Sequence, residues 1–177
     1  MLSLSGVIIK SLSLVTYQFS PVFVSSLWPF WALGLMRSST LFLSAGGNFI
    51  SGKVLDRFKA FSVLVNQFVI SRIILITAFL FPTVFSPIFI TSSAFLFSIG
   101  QVAQRTLFQK EFTDYQRATM GSIDSLLTRI TMSILLVFVG ILADLIGRRN
   151  MLLLGEILVI PVIIIYWRLS LHNKKIA

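Results

Sequence analysis

Cysteine is absent from the 177 residues, which removes thiolate catalysis, disulfides and cysteine-ligated zinc sites. Histidine occurs once, as His172 in the basic tail HNKK, so no second imidazole can share a metal and His172 reads as a solvated interface residue. Acidic residues number only six, leaving little carboxylate for acid–base chemistry, and no glycine-rich phosphate loop of the Walker type occurs. The chain is therefore not expected to be an enzyme: no catalytic group, no metal site and no cofactor is predicted. Charge of either sign is scarce too, at 12% of residues against the ~25% usual for a soluble domain.

What fills the space is hydrocarbon. Hydrophobic residues make up 56% of the chain and mean hydropathy is +0.92, values that belong to a lipid environment. The first residues, MLSLSGVIIK, lack a basic segment ahead of the apolar run, so the N-terminus is expected to be structure rather than a cleaved leader. Spanning helices need ~20 mostly apolar residues, and six such spans fit as one six-helix transmembrane domain over 1–177, at roughly 5–27, 30–51, 61–81, 84–106, 119–142 and 149–169. Turn chemistry separates them: LWPF around Pro29, GKVLDRFKA, FPTVFSP with Pro82 and Pro87, QKEFTDYQR and DLIGRRN. Barrel strands would alternate apolar and polar residues, and runs such as SRIILITAFLF do not. The expected class is an all-α, multi-pass membrane protein.

Basic residues fall unevenly between the two sides. With the N-terminus inside, Lys10, Lys53, Arg57, Lys59, Arg105, Lys110, Arg117, Arg168, Lys174 and Lys175 collect on one side and Arg37, Arg148 and Arg149 on the other. Since basic loops stay cytoplasmic, both termini are expected to face the cytoplasm of a cell (inner) membrane. The net charge of +9 then follows from topology and from anionic lipid heads. Nucleic acid is not an expected partner, because no basic face with interleaved aromatics stands outside the membrane.

One charged phrase occurs twice: GKVLDRFKA, Gly52 to Ala60, and GILADLIGRR, Gly140 to Arg149. Each places an aspartate four residues after a glycine, with basic residues following, and the copies lie 144 − 56 = 88 residues apart. Three spans separate them, so the two loops face opposite sides of the membrane. Two three-helix repeats of inverted topology are implied, a construction found among secondary transporters. The other reading is that loops simply collect glycine and charge.

These residues carry a resemblance. GKVLDRF, Gly52 to Phe58, resembles the Gly-x-x-x-Asp-Arg loop of the major facilitator superfamily, and the stretch Gln116 to Arg149, with Arg117-Ala-Thr and Gly140-Ile-Leu-Ala-Asp144, is similar to the region running from before the eleventh helix into the twelfth of many members. The resemblance covers most of the chain and implies the C-terminal six-helix half of such a fold. The chain departs from the pattern after Arg57, where Phe58-Lys59-Ala60 stands in place of a glycine and two basic residues. It departs also in offering one wall of a path that two halves enclose. A second six-helix half, a homodimer or a truncated remnant would each account for that.

The resemblance implies a gating loop at Gly52, Asp56 and Arg57, with the carboxylate and guanidinium acting as a latch and Gly52 allowing close helix approach. Marking the water interface is the competing role. Ionisable groups inside spans are costly, ~2.5 to 3.5 kcal/mol at a helix centre, and usually have a partner or a wet path. Asp124 and Arg129 fall on the span matched to the path-lining eleventh helix, about 140° apart around it at ~100° per residue, so each is expected to pair elsewhere. Arg72 and Glu156 fall on spans matched to supporting helices, where each either finds a partner across the bundle or covers a chain-to-chain contact. Tyr17 and Gln18, beside Pro21 in the first span, are candidates for substrate binding or for packing; Gln101 and Gln104 are expected to bind loop backbone. The function implied is secondary active transport of a small solute by alternating access. The alternative is a non-transporting remnant or membrane assembly partner that keeps the fold.

Overall fold

The computed structural model describes the backbone of residues 2–173, and side chains over that range except at residues 2–6, 9, 110, 111, 114 and 162–173. Six helices follow one another: α1 Leu2–Val24, α2 Ala32–Arg57, α3 Ala60–Leu80, α4 Ser86–Glu111, α5 Asp114–Ile146 and α6 Arg148–Asn173. Among the described residues there are no strands. Among the described residues three stretches, Ala60–Leu80, Ser86–Gln109 and Tyr115–Ile146, are long and apolar enough to cross a membrane, against the six expected. The α2 helix is as long as α4 but carries Arg37, Thr40, Ser44, Gly46, Gly47 and Asn48, which dilute its apolar face. Lys110, Arg168, His172, Lys174 and Lys175 lie outside the described side chains.

Helices run past the expected boundaries at α2, which continues to Arg57, at α4, which continues to Glu111, and at both ends of α5. Gly52, Asp56 and Arg57 are therefore in the last turns of α2, and the connection to α3 is only Phe58-Lys59. The α5 helix begins at Asp114, where the Thr113 N–H donates to Gln116 Oε1 at 3.4 Å, a reciprocal cap of the kind that starts helices. It stops at Gly147, whose φ of +85° suits a residue without Cβ. A single residue thus turns the chain from α5 into α6.

Two apolar layers hold the bundle. One gathers Val63, Leu64 and Phe68 of α3, Ile99 and Ala103 of α4 and Val159 of α6. The other gathers Phe23 and Val24 of α1, Met36 of α2, Phe79 of α3, Ile90 of α4, Ala143 of α5 and Leu152 of α6. Phe23 and Phe79 meet edge to face, with ring centroids 5.3 Å apart. The order in which each helix passes the layers gives its direction: α3 runs from the first layer to the second, and α4 and α6 run back.

Neighbour relations have an internal regularity. The α4 helix packs on α2 and α3, the α1 helix on α5 and α6, and α3 on α6; α5 also meets α6, α2 meets α3 and α1 meets α4. Exchanging α1 with α4, α2 with α5 and α3 with α6 returns the same set of neighbours. The 88-residue offset of the repeated phrase also carries the first residue of α3 onto the first of α6, 60 + 88 = 148.

Close approach is set by small residues. A Cβ on Gly47 would fall on the Phe95 carbonyl and the Ser98 hydroxyl of α4, and one on Gly100 would fall on the Gln67 side chain of α3. Gly52, expected to serve close approach, faces open space instead. On the opposite end, Arg149 at the start of α6 donates through Nε to the Phe79 carbonyl at 2.7 Å and through Nη2 to the Leu80 carbonyl at 2.6 Å. A cation there satisfies the last carbonyls of α3 and complements its dipole. Gly47→Ala is expected to cost about 1–3 kcal/mol through overpacking, whereas Gly52→Ala is expected to be neutral or to stabilise by up to ~1 kcal/mol through helix propensity. Thermal unfolding in detergent checks both, and equal effects would refute the assigned contacts.

Candidate functional site

A cavity of about 220 Å³ lies between the two apolar layers. The α1 helix contributes Ser13, Thr16, Tyr17 and Ser20; α2 contributes Thr40, Ser44 and Asn48; α3 contributes Ser71, Arg72, Leu75 and Phe79; α4 contributes Ile90, Ser93, Phe97, Ser98 and Gln101; and α6 contributes Glu156. Spacing explains the convergence. Thr40, Ser44 and Asn48 are four apart, and Ser13, Thr16 and Ser20 recur at three and four, so each set lies on one stripe of its helix.

At the floor of the cavity Arg72 and Glu156 form an ion pair, Arg72 Nη1 donating to Glu156 Oε2, while Arg72 Nη2 donates to Ser13 Oγ at 2.8 Å. Arg72 is 4% exposed and Glu156 0%. Both stand eight residues from the same end of the bundle, Arg72 before the end of α3 and Glu156 after the start of α6, or about 12 Å at ~1.5 Å per residue. Burying either charge alone would be prohibitive, and their mutual attraction with the Ser13 bond offsets the lost hydration. Among the described residues Arg72 Nε and Glu156 Oε1 have no hydrogen-bond partner. Nearby, Gln67 Nε2 donates to Ser71 Oγ at 3.3 Å.

Of the residues singled out in the sequence, Tyr17 lines the cavity and the Arg37 guanidinium lies 4.8 Å from its ring centroid, a cation–π contact. Gln18, one residue on, is exposed and outside the lining. Asp124 pairs with Lys10 at 3.1 Å, joining α5 to α1; Ser11 adds a bond to the Thr128 carbonyl at 3.2 Å. Arg129 is exposed midway along α5, and among the described residues it makes no ion pair. Gly52, Asp56 and Arg57 are exposed at the end of α2, remote from the cavity lining, and neither Asp56 nor Arg57 forms an ion pair among the described residues. Arg72 and Glu156, expected to pair across the bundle or to cover a contact between chains, pair with each other. Gln101 faces the cavity rather than loop backbone.

The hydroxyl lining went unread in the sequence, although its signal was there. Serine and threonine at three- and four-residue spacing inside apolar helices mark a polar stripe that hydrocarbon would not accept. Comparison with protein-family models, with curated proteins and with solved structures finds no match to this chain.

Removing one member of the ion pair, as in Arg72→Met or Glu156→Gln, is expected to cost about 3–5 kcal/mol, because the other charge stays buried and uncompensated. The double variant Arg72→Met/Glu156→Leu is expected to recover most of that loss. Unfolding curves of the three proteins decide it, and single variants as stable as the double would overturn the pairing.

Proposed function

We propose that this chain is one half of a facilitator-type secondary carrier, seated in a bilayer as two inverted three-helix repeats and moving a small solute by alternating access. The observation that carries the reading is the place of the polar cavity. Its ion pair joins α3 to α6, the third helix of each triplet, so the buried charges sit where the two triplets meet. Carriers built from inverted repeats hold their sites at that interface near mid-membrane.

Three further features support it. The exchange of neighbours between triplets is what a pseudo-two-fold axis produces, and α3 and α6, which exchange, run in opposite directions. Large apolar side chains cover the outside, among them Phe42, Phe49, Phe138 and Leu145, a surface suited to hydrocarbon and poorly suited to water. Finally, Arg129 is an exposed cation halfway along a stretch apolar enough to span a membrane, and such a group calls for a counter-charge or a wet path.

Arg129 also bears on the partner. Within this chain Asp124 is held by Lys10 and Glu156 by Arg72, and Asp56 and Asp144 lie near helix ends. A second copy would bring no free carboxylate to that depth among the described residues. A different six-helix half, rather than a homodimer, is therefore the favoured complement, meeting this chain along α5 while the solute site lies in the cavity. The resemblance of Gly52–Phe58 and Gln116–Arg149 to the major facilitator superfamily agrees with this assignment.

Two measurements test the reading. The natural absence of cysteine makes Lys59→Cys and Asn150→Cys clean single-label sites, and an impermeant maleimide is expected to reach them from opposite sides of the membrane; labelling from one side refutes the inverted repeat. Proteoliposomes holding the chain with a complementary half are expected to accumulate solute and to lose most of that uptake with Arg129→Ala. No uptake with or without the second half supports the non-transporting assembly role instead.

A further inference from the structure

We propose that the cavity lined by the Arg72–Glu156 pair binds a small, uncharged, polyhydroxylated solute, its hydroxyl groups meeting the hydroxyl-lined walls and the neutral ion pair. The proposal deepens the carrier reading and rests on it for the role of the site, while its chemistry comes from the lining itself.

The hydroxyl walls are biased toward accepting hydrogen bonds. Ser20, Thr40, Ser71, Ser93 and Ser98 each donate their hydroxyl proton to a carbonyl three or four residues back on their own helix, at 2.7–3.2 Å. What they leave toward the cavity is oxygen lone pairs. A ligand rich in O–H groups is complementary to that surface, donating to the serine and threonine oxygens and accepting from the amides of Asn48 and Gln101.

The floor selects for neutrality. Arg72 and Glu156 cancel each other's charge, yet each keeps one buried polar atom without a partner among the described residues, a donor at Nε and an acceptor at Oε1. An anion would meet the Glu156 carboxylate and a cation the Arg72 guanidinium, both where water screens little. Hydroxyl groups can both accept and donate, so they meet an unpaired donor and an unpaired acceptor without adding charge. The cavity of about 220 Å³ is many times the ~10–15 Å³ that one water requires, which leaves room for a small polyol.

Saturation-transfer NMR on the purified full chain in lipid nanodiscs, with glycerol and erythritol as probes and acetate and choline as charged comparators, tests the assignment. A saturable polyol signal is expected that falls at least tenfold in Arg72→Met/Glu156→Leu and several-fold in Ser93→Ala, a milder change that leaves the ion pair in place; circular dichroism and thermal melting confirm that both variants are folded. A polyol signal equal in wild type and a folded double variant, no saturable polyol signal, or an equal or stronger signal from acetate or choline overturns the proposal. Binding is read at equilibrium without a gradient, so the two readings separate. Polyol binding without uptake in proteoliposomes removes the carrier role and leaves the site. Uptake of another solute without polyol binding removes the site and leaves the carrier.

Discussion

A guanidinium and a carboxylate facing each other out of reach of water impose the central constraint on this molecule. Each charge alone would be far too costly to bury, and together they are tolerable only when held in contact. Arg72 comes from α3, Glu156 from α6 and the supporting hydroxyl, Ser13, from α1, so three helices must keep one mutual register. Apolar layers lie on either side, one with Leu64 and one with Phe79, and fix the spacing along each helix.

Helix contacts around the pair are arranged to leave room beside it. Gly47 and Gly100 bring α2 and α3 against α4 so closely that no Cβ fits without movement. The α1 and α4 helices meet only lightly, and the polar stripes of Ser13, Thr16 and Ser20 and of Ser93 and Ser98 border the same gap. Close packing on one side of α4 and a cavity on the other are two outcomes of one distribution of small residues. In lipid, where helices gain little from hiding apolar surface from one another, such residues and a few hydrogen bonds are what association depends on.

The pair joins the third helix of each triplet, at the α3–α6 contact that the exchange of triplets maps onto itself, and the proposed carrier takes that contact as its centre. Arg129 occupies a different position, on α5 at the outside of this six-helix unit. The cavity and the exposed cation are therefore separate features, one enclosed among five helices and one on the outer face of α5.

Much of this could be read before any tertiary structure. Runs of 20 or more apolar residues dictated helices, since backbone groups without water bond within their own segment, and Pro29, Pro82 and Gly147 marked the breaks. The spacing between Asp56 and Asp144 equals the spacing between the starts of α3 and α6. The end of α2 was not legible, because the polar residues from Gly52 to Arg57 suit a helix terminus as well as a loop, and only the short Phe58-Lys59 connection shows which they form. Tyr17 and Gln18 were indistinguishable as neighbours in sequence, and rotation about the α1 axis sent one into the cavity and the other outward. Arg72 and Glu156 were visible as two misplaced charges 84 residues apart. That they belong to each other was decided by the packing of α3 against α6, because an ion pair depends on distance in space and the chain order carries no record of it.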